Sequence, residues 1–316
     1  MLSIIIVSWN CKEEVVSCLD SLAQLAEITP EFETIVVDNA SEDGTVEALR
    51  NFASGYKKLS MRVIPNSRNV GLSSATCQAY REAIGEWILL CNPDIVFNKN
   101  FVVLLSYGYS HPDQMITAEM VNKDGTPQRV IHRRFPSVTR VFFDFGSVGS
   151  YLDEKLLNHR VRKSYCYQDA EFGPVVALES SGASFLLISR RVVEKLGLIF
   201  DPVFPVWWND VDLSKRAEAV GIQRILLSNV KVKHGLGRGS RSALGPTRRF
   251  LFCRSMILYA RRWRMHPRSM QLLFSADAII GVFLFAMVQG RRQGLFHSLK
   301  GSIAHASAQI SGVLGG

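Results

Sequence analysis

The first hundred residues alternate short, unbroken apolar runs with segments whose apolar residues recur every three or four positions, and few architectures accommodate that alternation. The runs are Ile4 to Val7, Thr34 to Val37, Met61 to Ile64 and Trp87 to Cys91. Between them Val15, Cys18, Leu19, Leu22 and Leu25, then Val46, Leu49 and Phe52, then Leu72, Ala75, Ala79 and Ala83 fall at helical spacing. Strands apolar on both sides must be covered on both faces, so the pattern predicts a mostly parallel sheet with right-handed helical crossovers. In open sheets of this kind, ligands bind beyond the carboxyl ends of the strands. At those ends the chain carries Ser8-Trp9-Asn10, Asp38-Asn39, Asn66-Ser67-Arg68-Asn69 and Asn92-Pro93-Asp94, and the opposite ends show no comparable cluster.

Further along, Met115 to Val121 and Gln128 to His132 flank Asp124-Gly125, a hairpin signal. Residues 133–178 are basic and aromatic without an assignable period. Ala183 to Ser189 reads as a buried strand and Arg190 to Leu196 as a short helix. Asp210 to Val220 reads as a helix stopped by Gly221, followed by strands at Arg224 to Leu227 and Val230 to Lys233. A basic, glycine-rich loop begins at Gly235.

Charge is divided unevenly. From Lys231 onward there are 14 lysines and arginines against one acid, Asp277, whereas residues 1–230 hold 23 bases and 27 acids. The tail is therefore a surface for anionic partners. Six cysteines lie scattered without a CxxC pair, which excludes a disulfide scaffold or zinc site and suits a reducing, cytoplasmic compartment. Leu2 to Val7 lacks a basic n-region and a cleavage site and reads as a first strand, not a signal peptide.

Four places carry chemistry. Asp38 could accept hydrogen bonds from a base or ribose; the structural alternative is an Asx turn. No GxGxxG follows the first strand, which argues against NAD. Pro93 aims Asp94 off the sheet edge, where one carboxylate suffices for Mg2+ or Mn2+ when substrate phosphates supply the other ligands; the alternative is a plain turn. In Trp207-Trp208-Asn209-Asp210-Val211-Asp212, indole faces suit the apolar faces of sugars, and a carboxylate beside them could be a general base; capping is the alternative. His234 ends a strand as a possible metal ligand, and Arg238 and Arg241 beyond it could clamp phosphates, unless they form a solvated basic loop.

Taken in order, these stretches resemble the inverting family 2 glycosyltransferases of the GT-A fold, most closely the bacterial rhamnosyltransferase-like branch, over residues 2–241. The matching motifs are Ile4 to Asn10, Val37 to Thr45, Asn66 to Leu72, Leu89 to Asp94, Gly182 to Ile188 and Trp208 to Leu213, with Val232-Lys233-His234 last. The resemblance implies a Rossmann-like GT-A sheet with helices on both faces, taken over 1–245; beyond the family motifs, 246–316 reads as a basic helical extension. It implies that Ser8 and Asp38, with neighbouring Asn39, hold the nucleotide base. Asn69 and Gly71 would lie beside the ribose and diphosphate, Asp94 would bind the metal, and Asp210 would deprotonate the acceptor hydroxyl. Two positions depart from the family: the usual Asp-x-Asp is Asn92-Pro93-Asp94, and the acid often preceding the base is Asn209.

A single carboxylate at the anomeric carbon means one displacement and inversion, since Asp212, two residues along a helix, faces another side. The resemblance implies transfer of L-rhamnose from dTDP-rhamnose to a glycan or lipid-linked glycan in cell-surface polysaccharide assembly. The alternatives are a UDP- or GDP-sugar donor, or a non-catalytic nucleotide-binding protein. In the tail, Leu272 to Val288 is apolar but short and interrupted by Asp277. It could span a membrane, lie on one or pack on the domain, and its length and flanking arginines favour an anionic membrane surface on the inner face of the plasma membrane. No nucleic-acid signature accompanies the charge.

Overall fold

The computed structural model describes residues 1–56, 59–235, 245–293 and 295–316, with side chains described outside 283–302. Two compact units result: one comprises 1–133, 171–205 and 209–241, the other 134–170, 206–208 and 242–316. The second unit therefore takes in more than the tail beyond residue 245.

In the first unit the predicted alternation is present as β1 (Leu2–Ser8), α1 (Lys12–Ala23), β2 (Phe32–Asp38), α2 (Thr45–Gly55), β3 (Ser60–Pro65), α3 (Leu72–Glu82) and β4 (Trp87–Cys91). Then come β5 (Ile95–Val96), α4 (Asn100–Ser110) and β6 (Met115–Val121); after the second unit's helices, β7 (Val175–Leu178), β8 (Phe185–Ser189), α8 (Arg190–Leu196), α9 (Asn209–Ala219) and β9 (Arg224–His234) follow. Among the described residues these strands form one sheet in the order β3-β2-β1-β4-β8-β6-β9-β5, with β7 also on β9.

Strands β1 to β4 run parallel, with Ser8 opposite Asp38 and Asp38 opposite Pro65. Strand β8 is antiparallel to both β4 and β6, and β9 is parallel to β6. It follows that Ser8, Asp38, Pro65, Cys91, Val121 and His234 all leave the sheet at one edge, where β8 begins. Successive side chains point to opposite faces. Ile4 and Ile6 join a core with Leu19, Leu49 and Leu105, whereas Ile5 joins Ala79, Val193 and Leu213 on the other side. The helices that cover each face thus fix the loops at the rim.

Three differences from the sequence reading have physical causes. The Asp124-Gly125 turn is present, with Asn122 N–H donating to Thr126 O at 2.8 Å, but Arg129–Ile131 is a 3-10 turn and not a hairpin arm. The returning chain meets β6 only briefly, with Val121 opposite Pro127 and Gln128 N–H donating to Met120 O at 2.8 Å, because β8 holds β6 from Met115 to Thr117. The two strands expected at 224–227 and 230–233 are one, β9, with a bulge where Leu227 pairs Ala118 and Lys231 pairs Glu119. Third, the opposite sheet edge does hold a polar cluster. Glu33 accepts from Ser3 Oγ at 2.6 Å, Ile84 N–H at 2.7 Å and Arg62 at 2.8 Å. Burial pushes its carboxyl pKa up, but those donors outweigh it and hold the group below the ordinary value. This cluster ties the strand starts together.

The second unit is helical: α5 (Val138–Phe145), α6 (Ser147–Leu156), α7 (Arg160–Tyr165), α10 (Pro246–Arg262), α11 (Pro267–Gln293) and α12 (Leu295–Leu314). Residues 133–178 show no clear period because α5, α6 and α7 are short and set by partners distant in sequence. Asp277, the acid that interrupts the apolar run, is buried. It accepts from Ser147 N–H at 2.8 Å and Val148 N–H at 2.7 Å, and so caps α6, while Gln309 Nε2 donates to it at 3.1 Å. The inner face of α11, with Met270, Phe274 and Ala278, is likewise buried. Among the described residues no helix is long and apolar enough to cross a membrane.

Candidate active site

At the ends of β1 and β2 the side chains bind one another. Ser8 Oγ donates to Asp38 Oδ1 at 2.9 Å, and Ser41 donates to the same carboxylate through Oγ at 2.6 Å and through N–H at 2.9 Å. Both Ser8 and Asp38 are wholly buried. Asp38 thus turns the chain through a bond to the backbone N–H three residues on, one residue beyond the reach of an Asx turn, and it shapes the rim from within. Asn39, also buried, donates to Asn69 Oδ1 at 3.0 Å and accepts from Val70 N–H at 3.0 Å. Asn69 Oδ1 in turn accepts from Gly71 N–H at 2.9 Å. Gly71 has φ +85°, and a Cβ there would lie 2.9 Å from Pro205 O, so only glycine lets this loop meet the segment between α8 and α9. These asparagines hold the 66–71 loop at the rim.

Asp94 and His234 converge further along the same edge. Asp94 Oδ1 lies 3.2 Å from His234 Nε2, and both side chains are nine-tenths buried. His234 Nδ1 is 2.7 Å from Gln128 Oε1, an atom that can only accept, while Gln128 Nε2 donates to His234 O at 2.9 Å and to Asn122 Oδ1 at 2.9 Å. The amide thus places the imidazole proton on Nδ1 and turns the Nε2 lone pair toward Asp94. Asn92 Nδ2 is also 3.3 Å from Nε2. Two ligands at about 2.1 Å on adjacent positions of an octahedral ion lie about 3.0 Å apart, so this oxygen and nitrogen fit one divalent cation. No group of three such ligands occurs among the described residues. A cation here would draw its remaining ligands from substrate oxygens or water.

Asp210 occupies the first turn of α9. Burial pushes its carboxyl pKa above the ordinary value, although the Val211 N–H, 2.8 Å from Oδ1, and the Arg133 charge both pull it down. Asn209 is buried, accepts from Asp210 N–H at 2.8 Å and donates to Ser73 Oγ at 3.2 Å. Asp212 is fully buried and paired with Arg216 at 2.9 Å, so it faces another side as helical geometry requires.

The segment 128–133 joins the two centres. Gln128 touches His234 at one end, and the Arg133 charge bears on Asp210 at the other. Five residues of chain set at most about 18 Å between their α-carbons. The segment lies against 180–182: Arg133 and Ser180 exchange backbone bonds of 3.1 and 2.9 Å, and Ser181 N–H donates to Ser214 Oγ on α9 at 3.1 Å. Gln128, His132 and Arg133 were not singled out from sequence. The available signal was a glutamine and a histidine on the side of a supposed hairpin arm that would meet the core.

His132 is buried, with Gly182 N–H directed at Nδ1 from 3.4 Å, and burial together with the Arg129 charge pulls its pKa down to about 4. Unfolded histidine titrates near 6.5, so between about pH 6.5 and 4 the unfolded chain binds the extra proton and stability falls as pH falls, by about 3 kcal/mol over the full window. Denaturant titrations across that window should show this loss, with a flatter profile for His132→Gln. Identical slopes for the two chains would contradict the assignment.

Other expected site residues lie elsewhere. Trp208, in the helical unit, is 4% exposed, with ring centroids 5.2 Å from Tyr259, 5.8 Å from Phe252 and 6.3 Å from Phe145. Its faces are spent on protein rings, which corrects the expectation of an open sugar platform. Trp207 is half-buried, 6.2 Å from Phe252 edge to face. Arg238 and Arg241 lie outside the described residues.

The family described as Glycosyl transferase family 2 matches residues 3–160, half of the chain, and the chain belongs to that family. Among curated relatives, the uncharacterized glycosyltransferase YfnE of Bacillus subtilis is 36% identical over 100 residues, covering 32% of this chain and 24% of that protein. The poly(ribitol-phosphate) beta-N-acetylglucosaminyltransferase TarS of Staphylococcus aureus is 28% identical over 141 residues, 43% of this chain and 24% of that protein. The matched stretch thus spans about a quarter of the length of each. Among solved structures, GalNAc-T7 with UDP, GalNAc and Mn2+ aligns with TM-score 0.57 and 14% identity over 83% of this chain and 47% of its own. The mannosyltransferase PcManGT from Pyrobaculum calidifontis, with GDP-Man and Mn2+, gives 0.55 and 15% over 98% and 86%. The fold is GT-A.

Proposed function

We propose that this protein moves a sugar from a nucleoside-diphosphate donor to a hydroxyl of a glycan or lipid-linked glycan, with inversion at the anomeric carbon, in cell-surface polysaccharide assembly at an anionic membrane surface. The observation that carries the reading is the segment 128–133, which reaches both the Asp94–His234 pair and Asp210 within one unit.

Asp94 Oδ1 and His234 Nε2 would hold a divalent cation, and their mixed oxygen and nitrogen donors favour Mn2+ over Mg2+. When bound, the cation supplies positive charge for the diphosphate leaving group. Gln128 keeps the imidazole turned for that task. The asparagine-bound loop at 66–71 shapes the edge along which a nucleotide would lie. Asp210 accepts the proton of the acceptor hydroxyl as that oxygen attacks carbon, and its raised pKa makes it a better base than an exposed carboxylate. Asp212 is occupied by Arg216. With one carboxylate free of such a partner in the first turn of α9, attack occurs once, and proton NMR of the product should show the anomeric configuration opposite to that of the donor; a retained configuration would contradict this.

The resemblance favours dTDP-rhamnose as donor. A UDP- or GDP-sugar is the second reading, favoured by the UDP and GDP-Man named with the two solved structures. A thermal-shift screen of dTDP, UDP and GDP with Mn2+ or Mg2+ distinguishes them. A nucleotide at 100 times its Kd should stabilise the fold by about 2.7 kcal/mol, a rise of roughly 5 °C or more in Tm. No shift with any nucleotide and metal would contradict donor binding.

A further inference from the structure

The outer face of α11 has no partner among the described residues of its unit, and its chemistry is uniform. Leu272, Ala276, Ile279 and Ile280 recur at positions that share one helical face. Leu272 is 75% exposed, Ile279 55% and Ile280 49%, while Met270, Phe274, Asp277 and Ala278 on the reverse side are buried. One turn before Leu272, Arg268 continues the same stripe, and Arg261 and Arg264 are exposed just ahead of it. From residue 231 to the end of the sequence the one acidic side chain is Asp277, and it is turned inward onto α6. The outer surface of this helix therefore presents aliphatic groups and positive charge, with no acidic side chain of the tail to neutralise them.

We propose that this face of α11 seats the protein in the plane of an anionic lipid surface, the aliphatic stripe entering the headgroup boundary and the arginines meeting lipid phosphates. Charge complementarity selects this occupant. A second copy docked through the same face would bring like charges together. Single-stranded nucleic acid would call for stacking rings, and the stripe is aliphatic. Lying in the plane also agrees with the absence, among the described residues, of any helix able to span. The inference deepens the membrane reading above by naming the face, and it is testable without donor or acceptor, so a failure of transfer chemistry leaves its outcome unaffected.

The test is co-sedimentation of the full chain with phosphatidylcholine vesicles with and without phosphatidylglycerol, at low and high salt. The expected result is partition onto the anionic vesicles alone, weakening as salt rises. Arg268→Ala should lower that partition about fivefold. Leu272→Glu combined with Ile279→Glu should abolish it with Tm unchanged, because both positions are exposed. Equal partition onto neutral vesicles, no partition onto either kind, or full binding by the double variant would overturn the proposal. So would concentration-dependent self-association of the wild-type chain that the double variant loses.

Discussion

Asp210→Asn should remove transfer while leaving the donor site intact, with kcat falling by about 10²- to 10⁴-fold, the range typical of a lost general base. Asparagine keeps the acceptor atom for Val211 N–H and the volume of the side chain, so α9 should start as it does now. It cannot take a proton from the acceptor hydroxyl at neutral pH. The same substitution should raise Tm at pH 7. Because the folded-state pKa of Asp210 lies above its ordinary value, folding favours the neutral carboxyl, and the ionised form present above that pKa costs stability that asparagine does not. Higher stability with lost turnover is the signature of a group kept for chemistry. In the wild-type chain kcat should fall on the acid side as Asp210 protonates, at a pH above that of an ordinary aspartate. Undiminished turnover by Asp210→Asn would remove the base from the mechanism.

Asp94→Asn should have the second large effect, and on a different quantity. It removes the anionic partner of the Asp94–His234 pair, so Mn2+ affinity measured by calorimetry or electron paramagnetic resonance should fall by more than about 100-fold, beyond what an outer-shell change produces. Gln128→Leu supplies that comparison. It leaves both ligands but frees the imidazole from its 2.7 Å contact, and a loss of about 10- to 100-fold in Mn2+ affinity is expected. Asp210→Asn should bind Mn2+ as the wild type does. Unchanged affinity in Asp94→Asn would place the cation elsewhere.

The parts of this protein legible from sequence are those governed by local period. The four parallel strands and their helices follow from apolar runs and helical spacing, and the carboxyl-end rule then collects Ser8, Asp38, Asn69, Asp94 and His234 at one edge. What sequence could not separate was contact from support. Asp38 reads the same in sequence whether or not it ties Ser8 to Ser41, and its burial with three internal hydrogen bonds, visible only in the fold, gives it that structural task. Trp208 failed for a similar reason, since an indole suits a sugar or a core equally, and its company of Phe145, Phe252 and Tyr259 comes from distant parts of the chain. Gln128 lay within a segment read as a strand because the Asp124-Gly125 turn is a true turn, but the returning chain pairs with β6 only at Val121 and Pro127, and β8 takes β6 from Met115 to Thr117.

The most direct measurement is a crystal structure of Asp210→Asn with Mn2+ and an intact nucleotide sugar selected by the thermal-shift screen. The expected result is the ion on Asp94 Oδ1 and His234 Nε2, in contact with the diphosphate, and the substituted amide at position 210 facing the anomeric carbon from the side opposite the leaving oxygen. An ion bound away from both ligands, or a side chain at position 210 directed away from the sugar, would contradict the pairing of these two centres in one reaction.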